Sequence, residues 1–160
     1  MVVEVEVPPQ PDVSARAKPF ALSDVRLLDG PFKEAMERDA AYLLEVESDR
    51  LPARFCRYAG LEPKSEEYGG WERDTLSGHS LGHYLSARSL LYGLTGDVRC
   101  KERVASVVEE LAACQKAHGD GFVAGFAGGR KLFEELAAGD EKMARGVFDL
   151  RVIRDQRRKP

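Results

Sequence analysis

The sequence lacks a strong excess of either charge. In 160 residues, 24 lysines and arginines stand against 27 aspartates and glutamates, a formal net charge of −3. This balance supplies no basic field for nucleic acid or an anionic membrane, so neither is expected as a partner. No run of 18 apolar residues occurs, and the first residues lack the basic and apolar regions of a signal peptide. The sequence therefore predicts a cytoplasmic protein.

Cysteine is also scarce, and its spacing argues against two kinds of scaffold. Cys56, Cys100 and Cys114 are odd in number, widely spaced and include no C-x-x-C pair. A disulfide framework and a zinc ribbon are both disfavoured by this arrangement. We interpret the three residues as reduced, buried thiols and assign no metal ligands.

Composition divides the chain into three segments. Residues 1–18 contain three prolines, which disfavour helices and interior strands, and are predicted to be an extended leader. Residues 19–150 form the predicted folded domain, which begins with a short strand or extended arm at Phe20–Leu28. Residues 151–160 form a basic tail.

The first predicted helix begins near Phe32, after the turn signal Asp29–Pro31, and ends before Pro52. Its apolar residues recur at intervals of three and four, which predicts one buried stripe. The stripe comprises Phe32, Ala35, Met36, Ala40, Leu43 and Leu44.

An antiparallel pair of helices is predicted next. After a loop rich in glycine, proline and glutamate, Thr75 or Ser77 is the expected cap of a helix that runs to about Tyr92. The segment Thr95–Asp97 ends that helix and starts another, which reaches about residue 117. The second helix is expected to bury Val104, Val107, Val108, Leu111 and Cys114. A glycine-rich segment, 119–129, is interpreted as a pocket rim or packing loop before a last helix at about 131–138.

His79 and His83 are four residues apart and therefore share one face of the predicted helix. The pair matches the H-x-x-x-H of zinc proteases, but Ser80 occupies the position of the required glutamate, so peptidase chemistry is disfavoured. Two interpretations remain. Both imidazoles could be packing residues, with Gly78 and Gly82 allowing a close helix neighbour. Alternatively, His79 binds sugar hydroxyls and His83 supports it.

Two residues of the preceding loop have side chains suited to carbohydrate binding. Trp71, the only tryptophan, offers a flat apolar face and one N–H donor, which suits stacking on a sugar ring or packing in a core. Glu72 could act as an acid or a hydrogen-bond acceptor, but the sequence assigns it no partner carboxylate. The nearby Glu66, Glu67 and Asp74 are interpreted as solvated loop charges.

Five motifs in order carry a specific resemblance. They are Y-G-G-W-E at 68–72, G-H-S-L-G-H-Y-L-S-A at 78–87, T-G-D at 95–97, E-L-A-A-C-Q at 110–115 and G-D-G-F at 119–122. From about Phe20 to Leu150 the chain resembles the N-terminal part of the β-L-arabinofuranosidase superfamily of glycoside hydrolases, families 127 and 146. The resemblance implies an all-α fold: the opening helical hairpins of an incomplete (α/α)6 barrel, with a short extended N-terminal arm.

The resemblance also limits which roles can be carried over. In that family a zinc-bound cysteine is the nucleophile and a glutamate the acid/base, and both belong to a later segment that this sequence does not match. No catalytic residue and no metal ligand is therefore assigned, and zinc is expected only in the full-length family proteins. Binding of an arabinofuranoside is expected to involve Trp71, Glu72, His79, His83, Gln115 and Phe122.

The sequence thus predicts an N-terminal part of a β-L-arabinofuranosidase that carries part of the sugar pocket and is inactive alone. Beyond Leu150 it departs from the family pattern, which suggests truncation, exposed apolar helix faces and self-association. Two alternatives stay open. One is a stand-alone helical module that binds a sugar or a metal, and the other is a non-enzymatic interaction domain.

Overall fold

Five α-helices make up most of the described chain. The computed structural model describes residues 17–70, 72 and 77–139. The helices are α1 (Pro31–Glu45), α2 (Ala53–Tyr58), α3 (His79–Thr95), α4 (Val98–His118) and α5 (Gly129–Ala137). Short 3₁₀ helices at Leu22–Asp24 and Ser48–Arg50 precede α1 and α2. Because these residues contain no strand, the all-α prediction is confirmed over the described range. Most of the predicted leader and all of the predicted tail lie outside it.

The α3–α4 hairpin forms where the sequence predicts it. Gly96, at a φ of +72°, ends α3, and the Asp97 carboxylate caps α4 by accepting the Arg99 N–H at 3.0 Å. Helix α3 continues three residues beyond the predicted end, to Thr95, whose hydroxyl donates to the Leu91 carbonyl at 2.7 Å. These two helices supply most of the core.

The inward face of α4 differs from the predicted one at two positions. Val107 and Cys114 have no exposed surface, as expected, but Val108 is 49% exposed. Glu110 is buried instead, with 8% of its surface exposed. Positions 107, 110 and 114 follow the helical repeat of three and four residues, so a buried carboxylate lies among the apolar residues of this face.

Helix α1 is covered incompletely by the other described elements. Its predicted stripe is half-buried at Met36, Ala40, Leu43 and Leu44, but Ala35 is exposed and Phe32 is 79% exposed. The helix ends at Glu45, seven residues before Pro52, because Val46 takes an extended conformation. The predicted stripe was therefore wrong at its N-terminal end, where no described element covers it.

Two elements near the N-terminal end of the domain depart from the sequence reading. The arm at Phe20–Leu28 contains a 3₁₀ helix that packs on α3, and no strand. Helix α2 was not anticipated. It has six residues, begins after Pro52 and buries Ala53 and Cys56 against α4. A helix of this length completes fewer than two turns, which is too short for an apolar period to appear.

The glycine-rich segment before α5 is a packing loop. Gly125 lies so close to Phe55 that a Cβ on it would be 2.9 Å from that ring. Arg130, in the first turn of α5, closes the loop by pairing with Asp120 at 2.6 Å. Helix α5 begins two residues earlier than predicted, at Gly129, which packs against Phe126.

Arg88 connects three helices through a fully buried guanidinium group. It lies on α3 with 0% of its surface exposed. Its nitrogens donate to the Leu43 carbonyl of α1 at 3.0 Å, the Tyr84 hydroxyl at 3.2 Å and the Cys100 sulfur of α4 at 3.2 Å. A buried cation is costly unless its N–H groups are used, and these three bonds use donors on all three guanidinium nitrogens.

Replacing this guanidinium is expected to destabilise the fold. Arg88→Ala leaves a cavity and an unsatisfied carbonyl at Leu43, and we expect the free energy of unfolding to fall by about 3 kcal/mol. Urea unfolding followed by circular dichroism measures the change. Arg99→Ala is the matched control, because that arginine is exposed, and its unfolding midpoint is expected to be unchanged. Equal midpoints for the two variants would contradict the role given to Arg88.

Candidate functional site

An open cleft of about 730 Å³ lies between the end of α1, the Ser48–Arg50 turn and the first half of α3. This volume is within the usual range of small-molecule sites. The wall includes aromatic, cationic, carboxylate and imidazole side chains. The polar and aromatic lining residues are Tyr42, Arg50, Arg54, Glu67, Tyr68, Glu72, Ser77, His79, Ser80, His83 and Tyr84.

Glu72 anchors the start of α3 from outside the helix. Its Oε2 accepts the N–H of Gly78 at 3.2 Å, and its Oε1 accepts the N–H of Ser80 at 2.7 Å and also the Ser80 hydroxyl. A carboxylate is favoured there because the first amides of a helix are unpaired and carry partial positive charge. Ser77 does not cap α3, since its hydroxyl donates to the Glu72 carbonyl. Thr75 lies outside the described residues.

Gly78 permits a turn that other residues would strain. Its φ is +109°, and a Cβ there would be 2.6 Å from Cζ of Phe55. The close neighbour expected from the sequence is thus confirmed at Gly78, and it belongs to α2. Gly82 is different, because it is exposed and a Cβ there would meet no atom within 4 Å. The interpretation of Gly82 as a close-packing position was wrong.

The two histidines form an adjacent pair at the cleft. The Nε2 atoms of His79 and His83 are 3.1 Å apart, so one ring donates a hydrogen bond to the other. The rings meet edge to face, with centroids 4.4 Å apart. Both residues are exposed, which disagrees with the interpretation of them as buried packing residues.

The opposite wall is held by Arg50. Its guanidinium lies over the Tyr68 ring, 4.2 Å from the centroid, and its Nε donates to the Glu66 carbonyl at 3.1 Å. The Tyr68 hydroxyl in turn accepts the N–H of Glu47 at 3.0 Å. These contacts fix the loop that leads to Glu72. Sequence reasoning did not select Arg50, although Tyr68 belongs to the Y-G-G-W-E motif.

Glu67 is not the solvated charge that the sequence suggested. Only 21% of its side chain is exposed, and it forms ion pairs with Arg57 and, at 3.9 Å, with Arg54. Both arginines are on α2. The carboxylate therefore ties the loop to α2. Glu66 is exposed, as expected, and Asp74 lies outside the described residues.

The predicted binding residues do not all meet at this cleft. Glu72, His79 and His83 line it, and Trp71 lies outside the described residues. Gln115 and Phe122 are placed elsewhere. The Gln115 amide donates to the Gly121 carbonyl at 2.9 Å, and Phe122 packs edge to face on His118 and Phe133. Both side chains are used within the loop that follows α4.

The described residues include no group of three histidine, cysteine, aspartate or glutamate side chains arranged to hold a metal ion. All three cysteines are buried and reduced, as predicted. Cys100 lies 3.2 Å from the Arg88 guanidinium, which would repel a metal cation. Residues 17–70, 72 and 77–139 therefore offer no fitting donor set for the zinc that the resemblance implies for the longer proteins. None of these helices has the length and hydropathy needed to cross a bilayer.

A family comparison agrees with the motifs in the sequence. The model of the β-L-arabinofuranosidase GH127 catalytic domain matches residues 24–151, which is more than half of the chain. The chain belongs to this family. The cleft, α3 and the α3–α4 hairpin all fall inside the matched GH127 range. Among curated proteins, none matches the chain.

In this GH127 chain, Gly78 and Gly82 each precede a histidine, so alanine substitutions at the two positions can be compared directly. Gly78→Ala places a Cβ against Phe55 at a strained φ, and we expect the free energy of unfolding to fall by about 2 kcal/mol. Gly82→Ala adds a methyl group in open space within a helix, and we expect a gain of about 0.5–1 kcal/mol. Urea unfolding of both variants measures the difference. A shift of the same sign in both would contradict the described contacts.

The capping role of Glu72 predicts a local effect on α3. Glu72→Ala removes the acceptor of two helix amides, so we expect a loss of about 1–2 kcal/mol in unfolding free energy and faster hydrogen exchange at Gly78 and Ser80. Amide exchange measured by NMR or mass spectrometry detects it. Glu66→Ala, which removes an exposed carboxylate from the same loop, is the control. Unchanged exchange in Glu72→Ala would refute the cap.

Proposed function

We propose that the cleft forms one wall of a sugar site for β-L-arabinofuranosides, and that this chain supplies binding contacts without the groups that break the glycosidic bond. Membership of a glycoside hydrolase family supports a carbohydrate ligand in general. The observation that carries the proposal is the exposed, mutually hydrogen-bonded pair His79–His83 at the mouth of the cleft.

The wall chemistry suits a small polyhydroxylated ligand. Each imidazole can donate or accept a hydrogen bond, so the pair can complement a hydroxyl group, which does both. Tyr42 and Tyr68 add partly exposed aromatic surface, with 66% and 37% of each residue accessible. Apolar ring faces pack against the C–H surface of a sugar while the polar groups fix its orientation.

The two described carboxylates of the cleft are already engaged. Glu72 accepts three hydrogen bonds at the start of α3, and Glu67 is paired with two arginines. In both cases the carboxylate oxygens are held by contacts within the protein and are not directed at a bound ligand by those contacts. Hydrolysis of glycosides generally requires a carboxyl group that can give up a proton to the leaving oxygen. We therefore assign these two residues to architecture and ligand orientation.

The proposal is tested by direct binding of 4-nitrophenyl β-L-arabinofuranoside. Titration followed by the fluorescence of Trp71, the only tryptophan, is expected to show saturable binding by the wild-type chain. His83→Ala is expected to weaken binding by about tenfold, since one lost hydrogen bond corresponds to about 1.4 kcal/mol. No 4-nitrophenolate is expected to be released.

Gln115→Ala is the matched control, because Gln115 lies on α4 with its amide bonded to the Gly121 carbonyl, and it does not line the cleft. Its affinity for the sugar is expected to equal that of the wild type. If both variants weaken binding equally, the cleft is not the sugar site. If the wild-type chain releases 4-nitrophenolate, the proposal that it lacks bond-breaking groups is wrong. Saturable Zn²⁺ binding without any sugar binding would favour the metal-binding module instead.

A further inference from the structure

A second cluster of reactive side chains lies away from the cleft, between α2 and α4. Cys56 of α2 and Cys114 of α4 approach with their sulfur atoms 3.7 Å apart. The Cys56 sulfur lies 3.9 Å from Oε2 of Glu110, and Lys64 Nζ lies 2.5 Å from Oε1 of the same carboxylate. None of these four residues lines the cleft.

The two thiols are adjacent in the folded chain. Their sulfur atoms are in van der Waals contact at 3.7 Å, whereas a disulfide bond is about 2.05 Å long, so the sulfur atoms must approach further for the bond to form. Both residues are reduced, and they are 5% and 0% exposed. The third thiol, Cys100, accepts a hydrogen bond from the Arg88 guanidinium at 3.2 Å.

The two thiols donate their hydrogen bonds in the same direction, from Cys114 to Cys56 and from Cys56 to the Glu110 carboxylate. Burial, followed by the contact with Cys56, raises the pKa of Cys114 to about 12, so this thiol keeps its proton at neutral pH. Cys56 is the thiol that faces a carboxylate acceptor, and Lys64 forms an ion pair with the same carboxylate. Lys64 itself has its pKa raised by its hydrogen bond with Glu110.

We propose that Cys56 and Cys114 are an oxidation site that takes small-molecule disulfides and closes into an intramolecular disulfide. Cys56 passes its proton to Glu110 and attacks one sulfur of the oxidant, which leaves a mixed disulfide on Cys56 and releases a thiolate that takes this proton from Glu110. Cys114 then attacks the Cys56 sulfur and forms the Cys56–Cys114 bond, while its proton passes to the second departing thiolate, which leaves as a thiol. Two protein thiols lose two electrons and two protons, and the external disulfide gains them.

The bond would join α2 covalently to α4. Helix α2 also carries Arg54, which lines the cleft, pairs with Glu67 and donates to the Gly125 carbonyl at 3.2 Å. Oxidation would thus fix the helix that supports one side of the cleft. A cross-link that closes so long a loop also stabilises a fold by restricting the unfolded chain.

The test uses the full native chain and hydroxyethyl disulfide, a small uncharged oxidant. Intact mass spectrometry is expected to show a loss of about 2 Da, the two hydrogens removed by one intramolecular bond, and peptide mapping is expected to link Cys56 to Cys114. The oxidised chain should melt at least about 5 °C higher, and dithiothreitol should reverse both changes.

Serine variants test whether the disulfide joins Cys56 to Cys114 and does not involve Cys100. Cys100→Ser keeps both partners, so the mass loss and the rise in melting temperature should persist. Cys56→Ser and Cys114→Ser should each lose both, with native folding checked by circular dichroism. The proposal is overturned if the wild-type bond includes Cys100, if only mixed-disulfide adducts accumulate, or if the folded chain does not react while the urea-unfolded chain does. The wild-type mass map decides between these results even where a variant does not fold.

Discussion

The buried guanidinium of Arg88 is the interaction on which the arrangement of helices depends. A charged group without exposed surface must satisfy its donors inside the protein, and the three acceptors come from α1, α3 and α4. The Leu43 carbonyl and the Tyr84 side chain both belong to residues that line the cleft. Satisfying one cation therefore fixes the distance between two walls of the candidate site.

The start of α3 depends on a carboxylate that lies outside the helix, in the loop before it. Glu72 precedes α3 by seven residues, yet it accepts the amides of Gly78 and Ser80 that begin the helix. The orientation of His79 and His83 follows from where that first turn starts. Gly78 is needed at the same point because its φ of +109° and its contact with Phe55 leave no room for a side chain. The position of the histidine pair thus depends on Glu72 and Gly78, which fix where α3 begins.

Local signals made α3 and α4 predictable, whereas features created by distant partners were not. Helix α4 repeats its apolar positions over 21 residues, and Gly96 and Asp97 mark its junction with α3 directly. Burial of Glu110 depends on Lys64, which comes from a loop far away in sequence. Exposure of Phe32 depends on which element covers α1. The sequence therefore selected His79, His83 and Glu72, which line the cleft, but it could not show that Gln115 and Phe122 lie elsewhere.

In this GH127 domain, the contacts of the two cleft carboxylates favour a structural role for them over a catalytic one. To serve as a proton donor, Glu72 would have to release the first turn of α3, and Glu67 would have to release two arginines of α2. Either change would loosen the wall of the cleft. The three thiols are buried, and none of them is among the residues that line the cleft. The proposal of a sugar site therefore rests on the imidazole pair and the tyrosine rings that line the cleft, and not on these carboxylates.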